Sequence, residues 1–275
     1  MTDAGQEHTD LTGHVAVVTG ASAGIGEAVA RRLAARGMHL VLGARRLERV
    51  ESLAGELAER HGTRCRALPV DVRQAAQVVA FVAEAEAFAG EAHSAAGAAG
   101  VHLLVNNAGL AAGLARVPTA TDADEADWAN MLETNVMGLL RVTRALLPGM
   151  VERARGHVIS IGSLAGLETY EGGSVYCASK AAVRIISKAM RLELIGSGVR
   201  VCCINPGLVD TEFSLVRLGD QQKADAVYNG MTPLTGDEVA RSVEWVAQLP
   251  GFMNIEELNL QPTDQASAQK VHRRD

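Results

Sequence analysis

The feature that most constrains this chain is a glycine cluster between a short apolar run and a helical pattern. His14–Thr19 reads as a strand and Gly24–Arg36 as a helix. Between them runs Thr19-Gly20-Ala21-Ser22-Ala23-Gly24-Ile25-Gly26. Glycine at positions 20, 24 and 26 lets the backbone turn tightly and approach a pyrophosphate, which the N-terminus of the helix then stabilises. Glycines alone recur by chance; the strand–turn–helix setting gives these their meaning. Their spacing is GxxxGxG rather than the GxGxxG of many dinucleotide sites.

The rest of the chain repeats that alternation. Strand-like runs fall at His39–Gly43, Arg64–Val70, His102–Val105, His157–Ile161, Val199–Asn205 and Glu257–Gln261. Helical periodicity occupies Leu47–His61, Gln74–Phe88, Asp124–Pro148, Val175–Ile195 and Gly236–Gln248. Strands that are apolar throughout, alternating with helices, predict a parallel sheet covered on both faces. No proline-rich or charged linker divides the pattern and no repeat is visible, so one α/β domain is expected over residues 14–264. A polar tail, 1–13, precedes it and a second tail, 265–275, follows. His272–Asp275 reads as a frayed end, and the Ala/Gly-rich stretch Ala89–Gly100 as a helix end and loop.

Composition removes several function classes. Of 275 residues 48% are hydrophobic, enough for a sizeable core. Lys plus Arg number 26 against 32 Asp plus Glu, a net charge of −6, where nucleic-acid binding normally shows a basic surplus. Four Phe, two Trp and three Tyr are too few for a base-stacking surface. No apolar run reaches the roughly 18 residues of a membrane helix, and Met1–Gly13 lacks the basic start and apolar centre of a signal peptide. Arg31-Arg32 lies inside a helix pattern rather than in an export signal. A cytoplasmic protein is the expectation. Cys65, Cys177, Cys202 and Cys203 show no metal-ligand or framework spacing, and the last two read as small core residues. The eight histidines form no paired motif, so no metal site is expected.

The second strand ends Leu42-Gly43-Ala44-Arg45-Arg46. An NAD site usually offers Asp or Glu there for the adenosine ribose hydroxyls, and Ala44 cannot serve. Arg45 and Arg46 can make charge-assisted contacts with a 2′-phosphate instead. NADP is therefore the favoured cofactor; the competing reading is two solvated arginines opening a helix.

Three further signals follow in order: Asn106-Asn107-Ala108-Gly109 after the fourth strand, Ser163 after the fifth, and Tyr176-x-x-x-Lys180 on the next helix. Asn135 lies between the first two. A YxxxK spacing is one helical turn and puts both side chains on one face. An alcohol must lose a proton as hydride leaves, so the site needs a base that works near neutrality. Tyrosine titrates near 10, and an adjacent ammonium from Lys180 and the positive nicotinamide would both favour its phenolate. Ser163 can donate a hydrogen bond to the developing alkoxide or the carbonyl oxygen.

Taken together these residues resemble the short-chain dehydrogenase/reductase family across nearly the whole chain. TGASAGIG, NNAG, Asn135, Ser163, Tyr176/Lys180, and Asn205-Pro206-Gly207 followed by Thr211 carry the likeness. It implies a single-domain, Rossmann-type, doubly wound sheet of about seven strands, and hydride transfer between a nicotinamide and a hydroxyl or carbonyl. A homo-oligomer is implied too, most often a tetramer. By the same resemblance, Tyr176 is the acid/base, Lys180 tunes it and holds the nicotinamide ribose, and Asn135 anchors a proton relay. Cofactor contacts carry over to Gly20, Ser22, Ala23, Gly24, Ile25 and Gly26, with Arg45 and Arg46. They extend to Asp71 and Val72 at the adenine, to Asn107, Ala108 and Gly109, and to Pro206, Gly207, Val209 and Thr211 at the nicotinamide. For Asp71, capping of the following helix is a rival reading.

Later segments are similar to the NADP-dependent 3-hydroxy acid (serine, allo-threonine) dehydrogenase branch: Gly207-Leu208-Val209-Asp210-Thr211-Glu212-Phe213-Ser214, Val216-Arg217, Gln261-Pro262-Thr263 and Val271-His272-Arg273. The expected substrate is a small 3-hydroxy acid or its carbonyl form, such as serine, allo-threonine or 3-hydroxypropionate. Its carboxylate wants a cation, and Arg217 is the first candidate, ahead of Arg184 and Lys223; a solvated Arg217 is the competing reading. The resemblance also suggests that the C-terminal tail docks on a neighbouring subunit. Cys177, Ala178 and Ala181-Ala182 depart from the branch pattern near the pocket or a subunit contact. One rival function is reduction of a bulkier ketone or secondary-metabolite carbonyl, since the fold accepts many substrates. Another is a non-catalytic NADP(H) sensor, a type that generally loses the tyrosine or lysine kept here.

Overall fold

A computed structural model describes residues 9–92 and 99–274. Seven strands form one sheet, with every adjacent pair parallel. They are β1 (Val15–Thr19), β2 (His39–Ala44), β3 (Cys65–Pro69), β4 (Val101–Asn106), β5 (Gly156–Ile161), β6 (Val199–Pro206) and β9 (Glu257–Leu260). Their spatial order is β3-β2-β1-β4-β5-β6-β9. β1 and β5 are buried at every position, as central strands are when helices cover both faces. One face carries α1 (Gly24–Ala35), α2 (Leu47–His61) and α9 (Gly236–Gln248). Their Leu33, Leu57 and Val243 pack on Leu40, Leu42 and Ile204. The other face carries α3 (Ala75–Glu91), α5 (Leu139–Glu152) and α6 (Ser174–Glu193), whose Phe81, Leu146 and Met190 pack on Val17, Leu104 and Val158.

The strand order reverses between β1 and β4. Chains leave these two strands in opposite directions, which opens a crevice beyond their carboxyl ends. Arg31-Arg32 lies within α1, where Arg32 reaches Asp237 and Glu244 of α9. Arg36 adds a second contact to the buried Glu244. This pairing fixes α1, and with it the mouth of the crevice, against α9.

Three sequence expectations change. The long helix over Asp124–Pro148 is α4 (Asp122–Leu132), a π-helical turn at Glu133–Gly138, and α5, which runs past Pro148 to Glu152. The wider turn lets the backbone at Gly138 approach Val72, where a Cβ would stand 2.5 Å from a valine methyl. Second, the segment after β6 is structured. It contains β7 (Val209–Asp210), α7 (Glu212–Leu218), α8 (Gln221–Ala226) and β8 (Leu234–Thr235), all too short for periodicity to reveal. Third, His272, Arg273 and Arg274 stay on the domain instead of fraying, while Asp275 lies outside the described residues. His272 N–H donates to the Asp264 carbonyl, Arg274 pairs with the Asp264 carboxylate at 2.8 Å, and Arg273 donates to the carbonyls of Val227 and Asn229. At the other end Leu11 is buried and Thr9 donates to the Leu249 carbonyl, so part of the polar N-terminal stretch packs too. The expected helix end and loop at Ala89–Gly100 is helix to Glu91; residues 93–98 lie outside the described ones.

Candidate active site

A cavity of about 560 Å³ lies at the carboxyl ends of β1, β2, β4, β5 and β6, roofed by the segment from β7 through α8. Every residue assigned above to cofactor or catalysis lines it except Gly26 and Asn135. Those two stand immediately behind the wall.

The glycine turn shows why the spacing matters. Gly20 has φ +68° and Gly24 φ +60°, conformations that side chains resist. Gly26 is helical, yet a Cβ there would meet Asn107 Nδ2 and the Gly20 carbonyl oxygen, both at 2.4 Å. Asn107 explains the crowding: its amide donates to the carbonyls of Thr19 at 3.0 Å and Gly20 at 3.1 Å, clamping the turn to the end of β4. Its side chain is therefore a strut for the turn. Ser22, Ala23, Gly24 and Ile25 then present the start of α1 to the cavity, and the unpaired N–H groups of that helix end suit a pyrophosphate.

At the end of β2, Ala44 is buried while Arg45 and Arg46 line the cavity. Arg46 donates through Nε and Nη2 to Ser22 Oγ, both at 3.1 Å, and through Nη1 to Glu212 at 2.8 Å. Arg45 makes no hydrogen bond or ion pair among the described residues. Asp71 does not cap α3, whose N-cap is Gln74; its carboxylate is held by Arg73, which lowers its titration below the usual carboxylate value. The capping alternative is therefore corrected, and Asp71 with Val72 forms the floor of the cavity beside Arg45.

The reactive end is built from α6, the end of β5 and the π-turn. Tyr176 and Lys180 share a face of α6, with Lys180 Nζ 6.0 Å from the Tyr176 ring centre. Lys180 is buried and donates to the Ile161 carbonyl at 2.9 Å. Burial pulls its ammonium down to about 8. Ser163 starts a 3₁₀ turn at Leu164–Gly166, its Oγ accepting from Ala165 N–H, which leaves its own proton free to donate. Asn135 sits in the π-turn, where its amide exchanges hydrogen bonds with the backbone of Leu110 and donates to Ser179 Oγ. Its Oδ1 and Lys180 Nζ flank Gly109, where a Cβ would lie 3.2 and 3.5 Å from them.

Burial pushes the Tyr176 phenol above its usual range, and the neighbouring Ser163 and Arg217 only partly offset that rise.

Arg217 is brought to the same place from the last turn of α7. Its guanidinium stands 5.4 Å from the Tyr176 ring centre and 5.3 Å from that of Tyr170, steadied by the Gly113 carbonyl. Arg184 is not brought there, because it pairs with Glu257 at 2.5 Å; Lys223 lies on α8 outside the cavity lining. Sequence reasoning missed Tyr170, whose Oη is buried without a hydrogen-bond partner, and Gln265, whose Oε1 accepts from Leu208 N–H at 2.7 Å. It also missed Phe213, Tyr228 and Glu212 in the roof. Tyr170 offered a weak signal, six residues before the motif tyrosine on the loop into α6. Gln265 offered none.

Among the described residues no cluster of three or more His, Cys, Asp or Glu side chains could hold a metal ion, and no helix is long and apolar enough to cross a membrane. Over residues 14–221 the chain matches the short chain dehydrogenase family. It is 44% identical over 262 residues to the NADP-dependent 3-hydroxy acid dehydrogenase YdfG of Salmonella typhi, covering 94% of this chain and 99% of that protein. It is 43% identical over 255 residues to sulfoacetaldehyde reductase 2 of Chromohalobacter salexigens, covering 92% and 95%. The closed form of a serine dehydrogenase complexed with NADP+ superposes with a TM-score of 0.82 at 42% identity, covering 94% of this chain and 99% of that one. With the glycine turn, the buried Tyr176/Lys180 pair and Ser163 around one cavity, the chain belongs to the short-chain dehydrogenase/reductase family.

Proposed function

We propose that the protein is an NADP-dependent oxidoreductase that interconverts a small anionic hydroxy compound, foremost a 3-hydroxy acid, and its carbonyl form. The observation that carries this reading is the cation of Arg217 held above the ring of Tyr176. A guanidinium in a half-closed pocket binds a carboxylate in two-point fashion and fixes which end of a short substrate faces the acid/base. The unpartnered hydroxyl of Tyr170 beside it supplies a second polar contact for the same anionic end.

The residues present fit NADP. The crowded glycine turn leaves room for a pyrophosphate backbone, and Ser22, Arg45 and Arg46 form a cationic, hydroxyl-bearing edge suited to a 2′-phosphate. When bound, the nicotinamide supplies or accepts the hydride. The chain's own groups manage the proton. Tyr176 gives it from its phenol to the substrate oxygen during reduction, and in oxidation its phenolate takes the proton from the substrate hydroxyl. Ser163 donates to that oxygen and holds it against the tyrosine. Lys180, titrating near 8, remains largely cationic at pH 7 and places its charge behind the phenol, and Asn135 holds Leu110 and Ser179 around it. A cytoplasmic homotetramer is part of the proposal, supported by the family likeness and checked by light scattering coupled to gel filtration.

A sulfonate suits the same guanidinium, and the sulfoacetaldehyde reductase relative makes a sulfonated aldehyde the second reading. The test is NADP(H)-linked turnover on serine, allo-threonine, 3-hydroxypropionate, a sulfonated aldehyde and neutral ketones, with Tyr176→Phe as control. Turnover of anionic substrates that collapses in the variant supports the reading. Turnover confined to neutral or bulky carbonyls discards the anion and keeps the chemistry; cofactor binding without turnover points to a sensor.

A further inference from the structure

The adenosine end of the cavity contains a charge that the proposed function does not use. Glu212, the first residue of α7, reaches across the mouth to two arginines on the opposite rim. Its Oε2 accepts from Arg46 Nη1 at 2.8 Å and its Oε1 from Arg49 Nη1 at 2.7 Å. Arg49 lies in the first turn of α2, and Arg46 is the residue that caps that helix. Glu212 is held ionised by these two partners, Arg49 the stronger.

The local charges show what this carboxylate opposes. Arg45, Arg46 and Arg49 give three cations on one rim. The nearby Asp71 carboxylate is committed to Arg73, so it does not neutralise them. Glu212 is the acid that does. Arg46 meanwhile has both edges occupied, one by Ser22 Oγ and one by Glu212.

A 2′-phosphate carries roughly two negative charges near pH 7 and seeks the same donors. Resting on the reading of Ser22, Arg45 and Arg46 as the 2′-phosphate edge, we propose that Glu212 competes with that phosphate for Arg46 and thereby sets how strongly the protein discriminates NADP from NAD. The carboxylate must give up or share Arg46 when the phosphate arrives, and it remains as a like charge beside it. NAD, with a free ribose hydroxyl, meets neither penalty. Glu212 is thus a specificity-determining residue that moderates NADP affinity. Such a moderating residue suits a reversible dehydrogenase, which must release its cofactor after each turnover.

The experiment is calorimetric titration of wild type and Glu212→Gln with NADP+, NAD+ and 2′,5′-ADP, a probe that lacks the nicotinamide half. Removing one like charge at a half-exposed site is worth about tenfold. Expected, then, is a roughly tenfold fall in Kd for NADP+ and 2′,5′-ADP with NAD+ unchanged within twofold. The gap should narrow at high salt. Arg46→Gln serves as the reference, weakening only the two ligands that carry a 2′-phosphate. If Arg46→Gln has this effect while Glu212→Gln leaves NADP+ unchanged or weakens it, the competition is overturned and Glu212 orients Arg46 instead. If Arg46→Gln also leaves 2′,5′-ADP binding unchanged, and wild type prefers NAD+, the phosphate-edge reading itself fails.

Discussion

Substituting Gly26 by alanine isolates the tightest point of the glycine turn. The backbone there is helical, so alanine has no conformational objection; only space is at stake. Its Cβ would sit 2.4 Å from both Asn107 Nδ2 and the Gly20 carbonyl oxygen, about an ångström inside normal contact. One neighbour is backbone, and the other is a side-chain amide pinned by two hydrogen bonds. Relief requires Asn107 to swing away, giving up its bonds to Thr19 and Gly20 at about 1 kcal/mol each. Otherwise the turn must shift, an overpacking strain of about 1–3 kcal/mol. Either route costs about 1–3 kcal/mol, divided between two observables by a thermodynamic cycle. If the free protein keeps the native turn, the cost appears as lost stability in urea unfolding. If the turn relaxes outward, it appears as weaker NADP+ binding, up to about a hundredfold. Gly55→Ala is the control, since a Cβ in the middle of α2 meets nothing within 4 Å and should be neutral or stabilising by up to about 1 kcal/mol. A Gly26→Ala protein matching wild type within about 0.5 kcal/mol in both assays would refute the crowding argument.

Burial of titratable groups gives two further predictions. Lys180 is depressed in the folded state to about 8 from 10.5, so between those values the unfolded chain binds a proton that the native one does not, and stability rises with pH. Wild type should gain about 2 kcal/mol relative to Lys180→Met between pH 7 and pH 9.5, measured by urea unfolding, while the variant loses turnover by about a hundredfold or more; parallel stability curves would contradict the burial of a charged Lys180. His157 on β5 is fully enclosed with neither ring nitrogen hydrogen-bonded, and burial, aided by the Arg200 charge, depresses its titration strongly. Its contribution is intact above pH 6.5 and falls by about 1.4 kcal/mol per pH unit below it, until the folded-state value is reached. His157→Leu should be near-neutral at pH 7 and flatten the acid limb of the stability curve; an unchanged acid limb would show that His157 protonates without penalty.

Much of this site was legible because its parts obey local rules. The turn before α1 announces itself through glycines that no other residue could replace, and Tyr176/Lys180 through a one-turn spacing on a helix with a clear apolar face. Strands β1, β4 and β5 were visible as largely apolar runs. What escaped depends on contacts between distant segments. The π-turn that buries Asn135 exists because Gly138 meets Val72, sixty-six positions earlier in the sequence. Helices of seven and six residues in the roof carry too few turns to show a period. Gln265 matters only because the chain returns to Leu208, and the partner of the Asp71 carboxylate, Arg73, is set by the conformation of one loop. The burial that raises the Tyr176 phenol escaped for a related reason: proximity to Lys180 could be counted from the spacing, but burial could not.

The central claim is that Arg217 selects an anionic substrate for the acid/base Tyr176. Its most direct test is the ratio of kcat/KM for a 3-hydroxy acid to that for its neutral methyl ester, in wild type and Arg217→Met. A charge-assisted anchor implies a wild-type preference for the acid of at least about tenfold, lost in the variant mainly through KM for the acid while the ester is little changed. Equal use of acid and ester by wild type, or an equal loss on both in Arg217→Met, would contradict it.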